Sequence, residues 1–457
     1  MPRKKGEQEM KRLRFQSISE IVLEAIRPNR LKALHQLEES QWKSIDEIRD
    51  IQRQKLLRLL KHAYVHVPFY REEFRRLGIV PDDVNSLHDI EHLPVVHKGQ
   101  IKDNHPRFMA DNVAPKDSLP NSTSGSTGFT LNFYSDRRTS DITSALGLRA
   151  NSWTGWTIGK RQAMLWGATS DDRTSGLYGR IKNSVIHKKM FLSSYEMNRE
   201  KMIEYRHKIN KFKPWLIEGY ASALYLFSRF LKDYQLRIHH PLGVISTAET
   251  LYSHQREMIA SAFHCRVFNR YGSREVSGIA QECEEGTGLH IFAEHVIVEV
   301  LNEKEEPCLP GEIGKIVITD LDNYAYPFIR YDIGDLGVAS EKLCSCGRGL
   351  PLLAKVEGRV WDIIIGTNGN RLVGTFWLVH GVKGIREFQV LQEKVGELSL
   401  QVVSDREFSE GERQKLRQRI YANCGPDMKI DIQLVESIPP AESGKHRYII
   451  SKVSPFV

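Results

Sequence analysis

The sequence predicts an α/β protein: a large N-terminal domain of layered α/β subdomains with a β-rich subdomain, then a small α+β C-terminal domain. Three observations carry this. Between residues 161 and 272, short apolar runs ending at glycine alternate with stretches of helical period, the pattern of parallel α/β layers. From His290 onward the pattern changes to alternating strands. After Gly358, short strands around a single helix make a compact module.

Taken in order, residues 10–62 are rich in Leu, Ile, Glu, Lys and Arg at helical spacing, so helices are expected there. Pro68 in Tyr64-Val-His-Val-Pro-Phe-Tyr70 breaks that run, and His66 reads as structural. Residues 131–134 read as a strand after the stretch Ser122-Thr-Ser-Gly-Ser-Thr-Gly-Phe-Thr130, which makes that stretch a strand–turn–strand. A helix is expected over 140–152. Strands at 161–168, 215–220, 243–249 and 267–272 enclose helices at 222–234 and 253–263. Ligands in such sheets sit beyond the carboxyl ends of the strands. Gly219-Tyr220, Thr247-Ala248-Glu249 and Tyr271-Gly272-Ser273 all fall there. Strands at 291–301 and 314–319 mark the β-rich part. The last module has strands near 361–365, 385–392, 398–403 and 431–435 and a helix at 409–424.

A chain of 457 residues exceeds what one core supports. No run approaches the roughly 18 apolar residues of a membrane span, and the polar, basic start is no secretory signal, so a cytoplasmic protein is expected. The first sixteen residues carry half of the +8 net charge. They read as a solvated tail, with weak contact to an anionic membrane surface as the alternative. No nucleic-acid motif is present. Binding of small anionic ligands accounts equally well for a mild basic excess.

Six of the nine residues 122–130 carry a hydroxyl and two are glycine. Ser122, Thr123, Ser124, Gly125, Ser126, Thr127 and Gly128 suit a cradle for phosphate oxygens, because successive N–H groups form an anion-binding concavity. Taken alone the stretch reads first as an ordinary loop. Four further motifs follow in order: Tyr271-Gly-Ser-Arg-Glu275, Ile329-Arg-Tyr-Asp-Ile-Gly-Asp335, Glu357-Gly-Arg359 and Ser443-Gly-Lys445. Together the five resemble the adenylate-forming superfamily of acyl-CoA synthetases, adenylation domains and luciferases. The likeness is to the phenylacetate-CoA ligase branch with its capsule-polysaccharide biosynthesis relatives, and it spans roughly residues 60–455.

The resemblance implies a helical extension at 1–60, a large domain at 61–358 and a mobile small domain at 359–457. It implies an AMP-forming ligase that activates a small carboxylic acid with ATP and passes the acyl group to a thiol, most naturally CoA. Transfer to an amine or hydroxyl in surface-polysaccharide assembly is the alternative, and a non-catalytic nucleotide-binding relative is a third. By resemblance Glu275 holds Mg²⁺ against the phosphates, Tyr271 and the Thr247–Glu249 segment flank the adenine, and Asp335 grips the ribose hydroxyls. Arg330 and Asp332 support it, and Arg359 meets the ribose or phosphate at the domain junction. Lys445 bridges substrate carboxylate and nucleotide, where a compact cation offsets two approaching anions. Relatives carry aspartate two residues past the arginine as a hinge. Here Trp361 stands there, and Asp362 is the remaining hinge candidate. Tyr134, Trp166, Tyr220 and Ala221 are candidates for the acid pocket, and each fits a plain core role as well.

Cys283, His290, Cys344 and Cys346 have ligand spacing unlike common zinc fingers, yet three thiolates and an imidazole make a closed, structural Zn²⁺ site. Reduced cysteines with an ordinary histidine are the alternative.

Overall fold

The computed structural model describes residues 27–123, 131–166, 188–194, 197–359, 363–373, 376–379, 382–439 and 447–453. The chain opens with helices α1 (Pro28–Ser40), α2 (Ile45–His66), α3 (Pro68–Leu77) and α4 (Lys98–Asp103). Next come the strands β1 (Ser118–Ser122) and β2 (Asn132–Asp136) and helix α5 (Arg137–Ser152). The alternating region holds β3 (Gln162–Trp166), β4 (Lys189–Ser193), α6 (Arg199–Phe212), β5 (Leu216–Tyr220), α7 (Ala221–Asp233), β6 (Gly243–Thr247), α8 (Ser253–Phe263) and β7 (Arg266–Ser273). After it run β8 (Ser277–Glu282), β9 (Leu289–Ile291), β10 (Val296–Leu301), β11 (Ile313–Asp320), β12 (Tyr331–Ser340) and β13 (Leu352–Arg359). The last stretch has β14 (Ile363–Ile365), β15 (Arg371–Val373), α9 (Phe376–Val379), β16 (Ile385–Gln392), β17 (Glu397–Ser404), α10 (Glu410–Cys424), β18 (Lys429–Leu434) and β19 (Ile449–Ser451).

Local chemistry sets the helix ends. Ser44 and Glu47 form a reciprocal box at the start of α2: the Glu47 N–H donates to Ser44 Oγ at 3.3 Å, and the Ser44 N–H to Glu47 Oε2 at 2.9 Å. Pro68 occupies the first turn of α3, where its missing N–H costs nothing. Asp136 caps α5 by accepting the Thr139 N–H at 2.7 Å.

One sheet runs through the main body in the order β10-β11-β12-β13-β9-β8-β7-β6-β5-β3-β4. From β4 to β7 the neighbours are parallel; from β7 to β10 they are antiparallel. The β-rich part is therefore continuous with the α/β part, and β7 belongs to both. Helices α6, α7 and α8 bury Met202, Leu224, Phe227 and Ile259 with Ile217, Val244 and Val267 of the parallel strands. Helices α1, α2, α3 and α5 share another core with the antiparallel strands, built around Leu34, Leu56, Phe74, Leu146, Phe292 and Phe328.

The strand expected over 291–301 is two strands, broken at 292–295. The His295 N–H turns back to the Phe292 carbonyl at 2.8 Å. Glu294 and His295 are buried in the gap. Glu294 accepts from Ser40 and Arg149, both at 2.6 Å, and His295 pairs with Asp322 at 3.0 Å and the Val276 carbonyl at 3.1 Å. These polar groups need partners from outside the sheet, so the ladder opens.

Residues 364–449 gather a core of their own. Strands β18-β17-β16-β19 form a four-stranded sheet, and its Phe388, Val390, Leu400 and Val402 pack with Leu416, Ile420 and Cys424 of α10. Among the described residues no helix is long and apolar enough to cross a membrane.

Candidate active site

The parallel strands end level with one another. Leu165 pairs with Gly219, Tyr220 with Thr247, and Thr247 with Arg270, so Trp166, Tyr220, Thr247 and Tyr271 stand along one edge. Gly219 is needed at that edge: a Cβ there would lie 2.9 Å from the Leu165 carbonyl oxygen. Underneath, a polar row fixes the level. Arg270 donates to Glu218 at 2.9 Å, to Gln281 at 2.5 Å and to Asn151 at 2.5 Å, while Gln162 donates to Glu218 at 2.8 Å.

Beyond β6 the chain turns through Ala248, whose φ of +65° lies in the left-handed region. That strained turn aims Glu249 at the start of α7, where its carboxylate accepts the Ser222 N–H at 2.8 Å and the Ser222 hydroxyl at 3.0 Å. A carboxylate is favourable at a helix N-terminus. Thr250 follows, and its hydroxyl lies 3.0 Å from where a Cβ would sit on Gly358, so the end of β13 rests against this turn.

The two motif carboxylates meet here. Tyr271 donates its hydroxyl to Asp335 Oδ2 at 2.8 Å, and Tyr331 donates to Glu275 Oε1 at 3.2 Å. Asp335 faces Arg359 across the β12–β13 pairing. Burial, then the Glu275 carboxylate, pushes the Tyr331 phenol well above its ordinary pKa, so it stays a donor. Arg330 stands behind, paired with Glu299 at 2.9 Å and donating to the carbonyls of Glu91 and Leu93. Asp332 accepts the Gly334 N–H at 2.9 Å and pairs with His97 at 3.3 Å. His66 bonds Asp111 at 3.0 Å at the end of α2.

The structure thus brings Thr247, Ala248, Glu249, Tyr271, Gly272, Ser273, Glu275, Asp335 and the backbone of Arg359 together. Ser122 closes the β1–β2 pairing opposite Asn132, and Thr123 bonds Leu131 in both directions at 2.9 Å, so the two strands on either side of that stretch are present and paired. Ser124, Gly125, Ser126, Thr127, Gly128, Trp361, Asp362 and Lys445 lie outside the described residues. Trp166 and Tyr220 are ring neighbours at 4.7 Å, and Ala221 is buried at the start of α7. Tyr134 packs instead with His105 and Tyr326, at 5.9 and 6.2 Å between rings.

Sequence reasoning missed the supports: Tyr331, Ser222, the Arg270–Glu218 pair and Tyr448. Tyr448 comes from the last strand's approach, yet its ring lies 6.3 Å from Tyr252 and its hydroxyl accepts from Gln255 at 3.5 Å, just past the Glu249 turn. Lys445 precedes it by three residues.

A second constellation gathers Cys283, His290, Cys344 and Cys346, whose ligand atoms all lie within 4.8 Å of one another. The closest approaches are Cys283 to Cys344 at 3.6 Å and Cys346 to His290 Nε2 at 3.4 Å. Zn–S and Zn–N bonds at the tetrahedral angle give edges of about 3.8 and 3.6 Å, so the four donors are spaced for such an ion. Backbone N–H groups of Glu285 and Arg348 point at Cys283 and Cys346, at 3.4 and 3.5 Å. His290 Nδ1 turns to the Leu350 carbonyl at 3.3 Å, which leaves Nε2 facing the sulfurs.

A model of the CapK C-terminal domain matches residues 366–452. The chain is 24% identical over 445 residues to a phenylacetate-coenzyme A ligase of Thermus thermophilus, covering 89% of this chain and 96% of the relative. It is 22% identical over 425 residues to Protein CapK of Staphylococcus aureus, covering 89% and 90%. Among solved structures it resembles 2-hydroxyisobutyryl-CoA ligase bound to an acyl-adenylate in the postadenylation state. That likeness has a TM-score of 0.75 and 18% identity, over 91% of this chain and 92% of the other. With the motif order and the fold, these likenesses support the adenylate-forming superfamily, in its phenylacetate-CoA ligase-like branch.

Proposed function

We propose that the protein is an AMP-forming ligase that activates a carboxylic acid with ATP as an acyl-adenylate and then transfers the acyl group to CoA. The observation that carries this reading is the meeting of Tyr271, Glu275, Tyr331, Asp335 and the end of β13 beyond the carboxyl ends of parallel strands. Asp335 accepts the ribose hydroxyls, and the 247–249 turn and Tyr271 flank the adenine. Residues Ser122–Gly128 cradle the phosphates, with Arg359 beside them. Mg²⁺, held by Glu275, neutralises phosphate charge when bound, as a hard cation on carboxylate oxygen.

The acid lies beside Trp166, Tyr220 and Ala221. Its carboxylate oxygen attacks the α-phosphorus, pyrophosphate leaves, and Lys445 offsets the charge gathered between two anions. The enzyme contributes positioning and electrostatics and no covalent intermediate of its own. A large domain at 61–358 carries the substrates, the extension at 1–60 braces it, and a small domain at 359–457 swings Lys445 in and out about Asp362. The thiolate of CoA then attacks the acyl carbon and AMP departs. The whole sequence takes place in the cytoplasm. Four ligands spaced for a tetrahedral ion support a structural Zn²⁺ at Cys283, His290, Cys344 and Cys346.

Similarity to Protein CapK favours one variant, in which the acyl-adenylate reacts with an amine or hydroxyl of a surface polysaccharide precursor. Carboxylate-dependent exchange of pyrophosphate into ATP, screened over a panel of acids, tests the first half-reaction for both. Lys445→Ala is expected to abolish that exchange and to keep conversion of supplied acyl-AMP with CoA. Loss of both activities, or of neither, refutes its role.

A further inference from the structure

The motifs ending in Glu275 and Asp335 share a spacing: each carboxylate stands four residues after a tyrosine, Tyr271 and Tyr331. Neither tyrosine serves its own carboxylate. Tyr271, from β7, holds Asp335 of β12 at 2.8 Å, and Tyr331, from β12, holds Glu275 just past β7 at 3.2 Å. β7 and β12 are not neighbours in the sheet, since β8, β9 and β13 lie between them. The two motifs are therefore joined by a pair of crossed side-chain hydrogen bonds across the site.

We infer that Tyr271 and Tyr331 are positioning residues that fix the ribose-binding and cation-binding carboxylates at one separation and orientation. This rests on the roles given above to Asp335 and Glu275. Both rings are anchored. Tyr331 is 1% exposed and packs on Phe328 at 5.0 Å, and Tyr271 is 9% exposed within the same core. Val96 pins the backbone about Tyr331: its N–H donates to the Arg330 carbonyl at 2.8 Å and its carbonyl accepts from Asp332 at 2.9 Å.

A carboxylate has two oxygens, and a neutral phenol occupies one of them with a single O–H. For Glu275 the bond is to Oε1, which turns Oε2 toward a cation. For Asp335 the bond is to Oδ2, which orients the pair of oxygens toward the ribose hydroxyls. One ATP reaches both carboxylates, one through its ribose and the other through its metal-bound phosphates, so each tyrosine sets a different end of the same ligand.

The test uses the full chain, isothermal titration with ATP and with 2′-deoxy-ATP, and a series of Mg²⁺ concentrations. Tyr271→Phe and Tyr331→Phe keep the rings and remove only the hydroxyls. Tyr271→Phe is expected to weaken ATP about tenfold or more while 2′-deoxy-ATP changes little, so that discrimination between them shrinks. Tyr331→Phe is expected to raise the Mg²⁺ needed for half-maximal ATP binding about tenfold and to leave the ATP/2′-deoxy-ATP ratio alone. Wild-type affinity, ribose discrimination and Mg²⁺ dependence in both variants would overturn the inference. So would a loss shared equally by both nucleotides at every Mg²⁺ level with a lowered Tm, since that marks a folding role only. If the unaltered protein binds no ATP, the functional reading beneath the inference fails first.

Discussion

Removing the Zn²⁺ proposed at the Cys283–His290–Cys344–Cys346 cluster should loosen a place far from it in sequence, the turn between α1 and α2. The loop that carries Cys344 and Cys346 also carries Arg348 and Gly349. Arg348 donates to Gln41 at 3.2 Å and lies over the rings of Trp42 and Trp153 at 4.9 and 4.8 Å, while the Gly349 N–H donates to the Gln41 carbonyl at 3.0 Å. A Cβ on Gly349 would sit 1.9 Å from the Lys43 carbonyl oxygen, so the loop and the turn are in direct contact. Residues 341–351 have no helix or strand of their own. With the ion gone, only these contacts and a few apolar ones hold the loop. A buried hydrogen bond from a charged group contributes about 1.5–3 kcal/mol, and a desolvated cation–π contact about 2 kcal/mol. The Arg348–Glu284 pair adds little, because Glu284 is half exposed. Losing the set removes about 3–5 kcal/mol of local protection, which at about 1.4 kcal/mol per decade speeds exchange by on the order of 10²–10³-fold. Hydrogen exchange with mass-spectrometric readout, on loaded and chelated protein, should show this over residues 28–48. The sheet of the last module, 397–404, serves as the unaffected reference. Metal analysis of the loaded sample should give about one zinc per chain. Equal exchange over 28–48 in both samples refutes the linkage, and substoichiometric metal refutes the ion.

Two further expectations follow from buried and half-buried charge. Glu218→Gln leaves Arg270 with the neutral partners Asn151 and Gln281, and breaking such a buried pair costs about 3–5 kcal/mol, read as a lowered urea midpoint. The double change with Arg270→Met should regain part of that, and an unchanged midpoint in Glu218→Gln would count against the polar row. His97 has its pKa raised, first by its hydrogen bond to Asp332 and against burial, with Glu305 adding to the rise and Lys315 opposing it. A raised folded-state pKa stabilises fully below the unfolded value of about 6.5 and is lost as pH climbs through the folded value. Because His97 is 46% exposed, the contribution is below about 1 kcal/mol. Tm measured from pH 5.5 to 8.5 should fall slightly more steeply in the wild type than in His97→Gln.

How much of this was legible depended on where each residue's partners lie. Parallel strands buried on both faces read as apolar runs, so β3, β5 and β6 fall within the stretches expected for them, and β7 overruns its own by one residue at each end. Helices α7, α8 and α10 match the helices expected at 222–234, 253–263 and 409–424 to within a residue. The interruption at 292–295 was not, because Glu294 and His295 are satisfied by Ser40, Arg149 and Asp322, which no local pattern announces. In the site, motif order marked Glu275 and Asp335, but the exchange of tyrosines joins residues 56 and 64 positions apart. The repeated four-residue spacing was its only trace in the sequence. Tyr134 was drawn toward the acid pocket by its place after the hydroxyl-rich stretch, yet the β1–β2 pairing carries its ring to His105 and Tyr326. The gathering of Cys283, His290, Cys344 and Cys346 was legible because thiol and imidazole have few other reasons to stand at Cys-x-Cys spacing beside a glycine.

The division of labour between stiff and movable parts follows from the same facts. Attack of one anion on another demands that the nucleotide be held in a fixed geometry, and the crossed tyrosines and the Arg270–Glu218 row supply stiffness where the strands end. A cation that must also withdraw, so that a thiol can enter, cannot be rooted in that rigid core. Residues 364–449 bury their own apolar residues, and Tyr448 reaches the main body through a 3.5 Å hydrogen bond from Gln255 and an edge-on ring contact with Tyr252 at 6.3 Å. A unit with a core of its own can shift as a body, whereas moving any group of the polar row would uncover a buried charge. The lysine proposed for the separately cored module and the carboxylates on the sheet therefore fit the proposed two-step chemistry at one site.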